Sequence, residues 1–324
     1  MARGYPETLE ASLAGLDWPN WIDRMREITD EDGYTETLGE DHAAILVEHS
    51  TILLVCFENY DTIDVASTEQ QPAGWDVARR MGWSSLTLVS RSQSWFRAAP
   101  VYGYFDRLVD DGFFEEFEQV IFYGAGACGY AAAAYSVAAP GARVLLVQPQ
   151  ATLDPAIAGW DTRFRAERRR DFKSRYGYAP DMLEAADRAM VLYDPAIKED
   201  AMHAALFERS VASTLKLRFM GPKLGSALAR MNLVTPLLHA LEETELSELP
   251  VAFARILRAR REDAPYLKAM LAFLEKKERL KLVVLLAHHA LRHAPSPRFR
   301  SSLRAAYHRA KVLGLDMPPL DQTG

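Results

Sequence analysis

Short apolar runs alternate with longer mixed stretches through the first two thirds of the chain, and only helical periodicity remains beyond Pro236. Residues 1 to 40 read as a helical lead-in. Trp18, Trp21, Ile22, Met25 and Ile28 mark one apolar face before the break at Glu31-Asp32-Gly33. The runs AAILVEH (43 to 49) and TILLVCFEN (51 to 59), separated by Ser50, predict an antiparallel hairpin, with the second strand buried on both faces. The polar stretch 60 to 74, with Pro72 and Gly74, predicts a loop at the carboxyl end of that strand. Ligand-binding groups gather at such places in open α/β sheets, which makes Asn59 a candidate.

A helix (75 to 81), the strand SSLTLVS (84 to 90) and a helix from Tyr102 to Phe114 follow. Next come the strand QVIFY, a glycine-rich turn from Gly124 to Gly129, and the helix YAAAAYSVAA. The run ARVLLVQPQ gives a buried strand ending at Gln148, and a loop carries Asp154, Trp160, Asp161 and Arg163. The strand AMVLYD closes on Asp194, the helix 199 to 207 carries His203, and STLKLRFM is the last strand candidate. Helical patterns at 246 to 261, 265 to 276, 279 to 293 and 297 to 313 complete the chain. The alternation predicts an α/β fold, a mostly parallel sheet flanked by helices, with an all-helical C-terminal attachment. The expected units are residues 1 to 40, 41 to 235 and 236 to 324.

Composition narrows this only in part. With 324 residues, 49% of them hydrophobic, the chain can bury one large core and a smaller one. It holds no apolar run near the roughly 20 residues that span a bilayer, and its N-terminus lacks the apolar core of a signal peptide, so a cytoplasmic location without membrane contact is expected. Cys56 and Cys128 lie in separate apolar stretches and form neither a disulfide framework nor a metal-ligand set, and no metal or cofactor is expected. Residues 251 to 311 hold 15 Lys and Arg against 4 Asp and Glu, so the overall charge of −6 conceals a basic C-terminal segment on an acidic body. Helices docked on that body, or a solvated face, account for this more simply than nucleic acid, since no recognisable reader motif accompanies the cations.

The chemistry centres on Gly124-Ala125-Gly126-Ala127-Cys128-Gly129. Glycines between a strand and a helix let backbone N–H groups approach a ligand at the helix N-terminus, where anions are favoured. A Ser or Cys at the apex would make such a turn a nucleophile elbow. The same letters also spell G-x-G-x-x-G, the dinucleotide fingerprint, with S-adenosylmethionine as a related ligand. The fingerprint usually opens its domain, however, whereas this turn follows at least three strands, and the next strand ends in Gln148 where an acid would take the ribose hydroxyl.

FYGAGACGYAAAA followed by LLVQPQATLDP resembles a bacterial branch of the α/β-hydrolase superfamily, similar to proteins associated with surface-polysaccharide and accessory-secretion loci. The resemblance spans roughly residues 45 to 230 and implies a three-layer hydrolase-like fold. It places the family's serine on Gly126, so the nucleophile is missing. Chain order in the family is nucleophile, acid, histidine. Asp194 then stands for the acid, but no histidine occurs between His203 and His239, where the base would follow the last strand. Chains similar to this one are sometimes labelled phosphoadenosine phosphosulfate reductases. That activity calls for an SGGxDS-type loop and a cysteine near the C-terminus, and neither occurs.

The residues therefore predict a degenerate elbow that binds a small molecule, a glycan or a protein partner. Gly124, Ala125, Gly126, Ala127, Gly129 and Asn59 are its ligand-binding candidates. A variant acyl hydrolase or transferase using Cys128, Asp194 and His203 is the catalytic alternative.

Overall fold

A computed structural model describes residues 11–66, 69–208 and 211–317. Its centre is one eight-stranded sheet: β1 (Gly33–Leu38), β2 (His42–Val47), β3 (Ile52–Asn59), β4 (Ser84–Ser90), β5 (Gln119–Ala125), β6 (Arg143–Val147), β7 (Arg188–Tyr193) and β8 (Ala212–Lys216). The spatial order is β1-β2-β4-β3-β5-β6-β7-β8. The pairs β1 with β2 and β2 with β4 are antiparallel, and every pair from β4 onwards is parallel. Helices cover both faces, and this strand order is that of an α/β-hydrolase fold.

The alternating pleat of β3 shows how the layers divide. Val55 and Phe57 face a core shared with the helix Ala127–Tyr135, while Leu54 and Cys56 face the other side with Leu237, Leu238 and Leu241. β3 is buried through its middle, as a strand flanked by two parallel neighbours must be. The helix Trp18–Thr29 begins at Asp17, whose carboxylate accepts from the Asn20 N–H, and lays Trp21, Ile22, Met25 and Ile28 on the β2 end of the sheet.

Three expectations are corrected. The runs 43 to 49 and 51 to 59 do not form a hairpin, because β4 inserts between β2 and β3. The connection at Ser50 passes over the start of β4, where the Ser84 hydroxyl accepts from the N–H groups of His49 and Ser50 and donates to the Ser50 carbonyl. On its other side β2 pairs with β1, so Gly33–Leu38 is an edge strand rather than part of a helical lead-in. Its sequence GYTETL alternates but carries little apolar weight, and its faces stay half-exposed. The stretch 60 to 74, read as loop, also contains the helix Tyr60–Ala66.

Beyond the sheet, the helices Val234–Glu243 and Leu249–Ile256 bury Leu237, Leu238, Leu241, Leu249 and Phe253 against β5, β6 and β7 residues. The helices Ala264–Lys276, Leu280–His293 and Pro297–Val312 share a separate core of Leu267, Leu271, Val284, Ala287, Phe299 and Leu303. That core meets the sheet domain through Phe219 and Met220. Arg230 pairs with Asp263 at 2.8 Å across this contact, the cation belonging to the sheet domain and the acid to the tail. Several tail cations pair within the tail itself, as Arg298 does with Glu275 and Arg309 with Glu278. Among the described residues no helix is long and apolar enough to cross a membrane.

Candidate functional site

The turn after β5 has the geometry of an elbow. Gly126 sits at φ +61° and ψ −125°, a backbone region that side-chain-bearing residues rarely enter, and the helix starts at Ala127. A Cβ built on Gly126 meets nothing within 4 Å. Its N–H donates to the Val147 carbonyl at 2.8 Å, so this amide is already committed. Gly124 and Gly129 do different work. A Cβ on Gly124 would lie 2.1 Å from the Cys128 carbonyl oxygen, and one on Gly129 would press on the Gly124 carbonyl and on Pro149. Both glycines are buried where strand, helix and the following loop pack closely, so they do not line a crevice, contrary to the sequence reading. Ala127 is buried as well, which leaves Ala125 and Gly126 as the partly open positions of the turn.

Cys128 points into the core beneath the helix rather than standing at the apex. Burial raises its thiol pKa, the charge of Glu58 raises it further, and a hydrogen bond with the Asn59 side chain only partly opposes them. Asn59 also accepts from the Ser90 hydroxyl at 2.6 Å, so its amide is a strut between β3, β4 and the elbow helix. Glu58 accepts from the Ala73 and Gly74 N–H groups, capping the helix Ala73–Met81, and burial holds its carboxyl above the usual range.

Asp194 lies at the carboxyl end of β7, where the resemblance places an acid. It is 1% exposed. One oxygen accepts from the Ala196 N–H at 2.9 Å and the other from the Gly221 N–H at 2.8 Å. His203 is fully buried, and both its ring nitrogens are engaged. Nδ1 accepts from the Ala151 N–H at 3.1 Å, which puts the ring proton on Nε2, 3.0 Å from Asp161. Trp160 covers the imidazole, with ring centroids 4.5 Å apart. Asp194 and His203 therefore share no hydrogen bond, and neither bonds to Cys128.

His203 belongs instead to a buried polar chain. Arg163 donates to Asp161 through Nε and Nη2 and to Asp200 through Nη1 at 2.6 Å. Asp200 accepts from the Gln148 side-chain amide N–H at 2.6 Å, and the Gln148 side-chain oxygen Oε1 accepts from the Leu224 N–H at 2.6 Å. Burial alone would raise the Asp161 carboxyl, but the bonds from His203 and Arg163 outweigh it and hold the carboxyl far below its usual range. Gln148 reaches this position with a left-handed backbone, φ +49°. Asp161, Arg163 and Gln148 are visible in the sequence as loop and strand-end residues, yet nothing in their spacing pairs them with Asp200 or His203.

A cavity of about 500 Å³ opens beside Asp194, between the loop Asp194–Ile197, the segment Phe219–Lys223 and the helix Ala264–Lys276. None of its lining residues comes from the glycine turn. On the surface, donor atoms of His239, Glu242 and Glu243 lie within 4.8 Å of one another, an arrangement common without any bound ion.

No protein-family model matches the chain, and no curated protein matches it. Among solved structures it is similar to a hyperthermophilic esterase from the archaeon Pyrobaculum calidifontis, with 15% identity and a TM-score of 0.40 over 70% of this chain and 91% of that one. The Pyrococcus horikoshii acylaminoacyl peptidase gives 8% identity and a TM-score of 0.44, covering 66% of this chain and 42% of that one. A Glycosylation Associate Protein (Gap123) complex from Streptococcus agalactiae gives 10% identity and a TM-score of 0.39, covering 62% and 45%. Likeness at this level carries no argument about activity, and the fold rests on the strand order described above.

Proposed function

We propose that this chain is a hydrolase-fold binding protein without hydrolytic machinery, holding a small molecule, a glycan or a protein partner at the carboxyl edge of its sheet. The observation that carries the reading is the bond from the Gly221 N–H to Asp194. At the acid position of the fold, the carboxylate holds a backbone amide from the very segment where a histidine would stand. Acyl transfer needs a nucleophile, and a base within about 3 Å to take its proton. Gly126 offers no side chain, and His203 cannot accept a proton on Nδ1 without giving up the Ala151 N–H.

The cysteine variant of the reaction is disfavoured by the environment of Cys128, since a thiolate nucleophile requires a lowered pKa and this thiol is raised by burial. Nucleotide binding by the turn is disfavoured by the bond from the Gly126 N–H to Val147 and by the engagement of Gln148 with Asp200 and Leu224.

The test combines an activated ester with a fluorophosphonate probe, applied to the parent protein and to Gly126→Ser. Neither protein is expected to turn over the ester above buffer, and the installed serine is expected to remain unlabelled. Stoichiometric labelling at position 126, or ester turnover by the parent, would sink the reading.

A further inference from the structure

The cavity beside Asp194 has a composition that selects a ligand class. Its walls are mostly apolar, with Ile197, Phe219, Met220, Pro222, Tyr266 and Ala269 on three separate elements. Four charged residues also line it, and three are already answered. Asp194 is buried with both oxygens holding backbone N–H groups, and Arg230 and Asp263 neutralise each other at 2.8 Å. Lys223 lines the same cavity, is exposed, and has no carboxylate within ion-pair distance among the described residues. Small-molecule sites are typically apolar concavities of about 300–1,000 Å³ in which a few polar groups fix orientation. An apolar cradle of about 500 Å³ with one unpaired lysine among its lining residues matches that description.

We propose that this cavity binds a small apolar molecule bearing one anionic group, such as an aryl or short-chain carboxylate, with the apolar part against Phe219 and Tyr266 and the anion at Lys223. The proposal rests on reading the chain as a binding protein, and gives that reading a site and a ligand class. The site is built jointly by the sheet domain and the C-terminal helices, since Phe219 packs edge-on to Tyr266 at 6.2 Å and against Phe273 at 5.4 Å between ring centroids. Binding is therefore expected to tie the two parts of the chain together.

The experiment is isothermal titration of the full chain with 2-naphthoate, and with 2-naphthalenemethanol as the uncharged ring of the same size. Saturable one-site binding of the naphthoate is expected, tighter than that of the alcohol. Lys223→Ala is expected to weaken the naphthoate roughly three- to fivefold, the range of a partly exposed ion pair, and to leave the alcohol unchanged. Ala269→Trp, at an exposed helix position, is expected to fill the cavity and abolish both while the melting transition is kept. Absence of saturable binding, or binding indifferent to Ala269→Trp, overturns the site. Equal losses for both ligands in Lys223→Ala overturn the anion preference. Ester turnover by the parent protein would overturn the non-catalytic reading while leaving the cavity result standing, so the two failures are distinguishable.

Discussion

Asp194 and Gly221 are joined across the carboxyl edge of the sheet, the amide of one donating to the carboxylate of the other at 2.8 Å. The bond closes the loop after β7 onto the segment after β8, and also shapes one wall of the cavity. A hydrolase of this fold would spend the same carboxylate on orienting an imidazole. Here it organises backbone, and Asp194→Ala should act on stability and on the shape of the cavity.

The elbow glycines should separate sharply in a substitution series. Gly126→Ala places a methyl group in open space and is charged only for its backbone conformation, on the order of 1–3 kcal/mol. Gly124→Ala drives a methyl group into the Cys128 carbonyl and should cost more, with loss of the cooperative fold as the extreme. Thermal melts of the two variants decide the matter, and equal destabilisation would contradict the packing role of Gly124.

Cys128 should behave as an inert thiol. In a Cys56→Ala background, iodoacetamide at neutral pH is expected to modify it only after denaturant is added, because burial both shields the sulfur and raises its pKa. Rapid alkylation of the native protein below neutral pH would restore it as a nucleophile candidate.

Asp161 should make the protein acid-sensitive. Its folded-state pKa is depressed, so its contribution to stability is fully present above the ordinary aspartate value of about 3.9 and is lost as the pH falls from there through the depressed folded value. Asp161→Asn should be less stable at neutral pH by roughly 3–5 kcal/mol, since Arg163 and His203 lose a buried charge partner. Its stability should also decline less steeply below about pH 4 than the parent's. Parallel acid limbs in calorimetry would show that Asp161 is not the titrating group.

Truncation should distinguish the two sets of C-terminal helices. A fragment of residues 1–235 uncovers the sheet face that Leu237, Leu241, Leu249 and Phe253 protect, and is expected to aggregate. Residues 1–262 keep that cover and lose only the helices with a core of their own, so this fragment should stay soluble and melt cooperatively. The reverse order of solubility would contradict this account.

Local pattern carried a large part of the architecture. The run SSLTLVS coincides with β4, QVIFY lies within β5, and the long C-terminal helices fall within a few residues of their sequence expectation. The bend at Gly126 was also legible, because a glycine cluster between a β-branched strand and an alanine-rich helix has few other uses. These features depend on neighbours in the chain, which periodicity and turn chemistry record.

Strand order was not recorded in this way. AAILVEH and TILLVCFEN look like adjacent strands, and only the insertion of β4 between them shows otherwise. The fate of the three catalytic candidates was equally hidden. Gly221 is 27 residues from Asp194, and the Ala151 and Asp161 partners of His203 lie 52 and 42 residues away. A side chain's chemistry depends on which donors and acceptors remain free once the chain has folded. The sequence by itself determined which residue types were available and where most of the elements lie. The tertiary structure decided which of those groups were already occupied, because hydrogen-bond partners are chosen by proximity in space, and nothing in the local pattern encodes contacts over such separations.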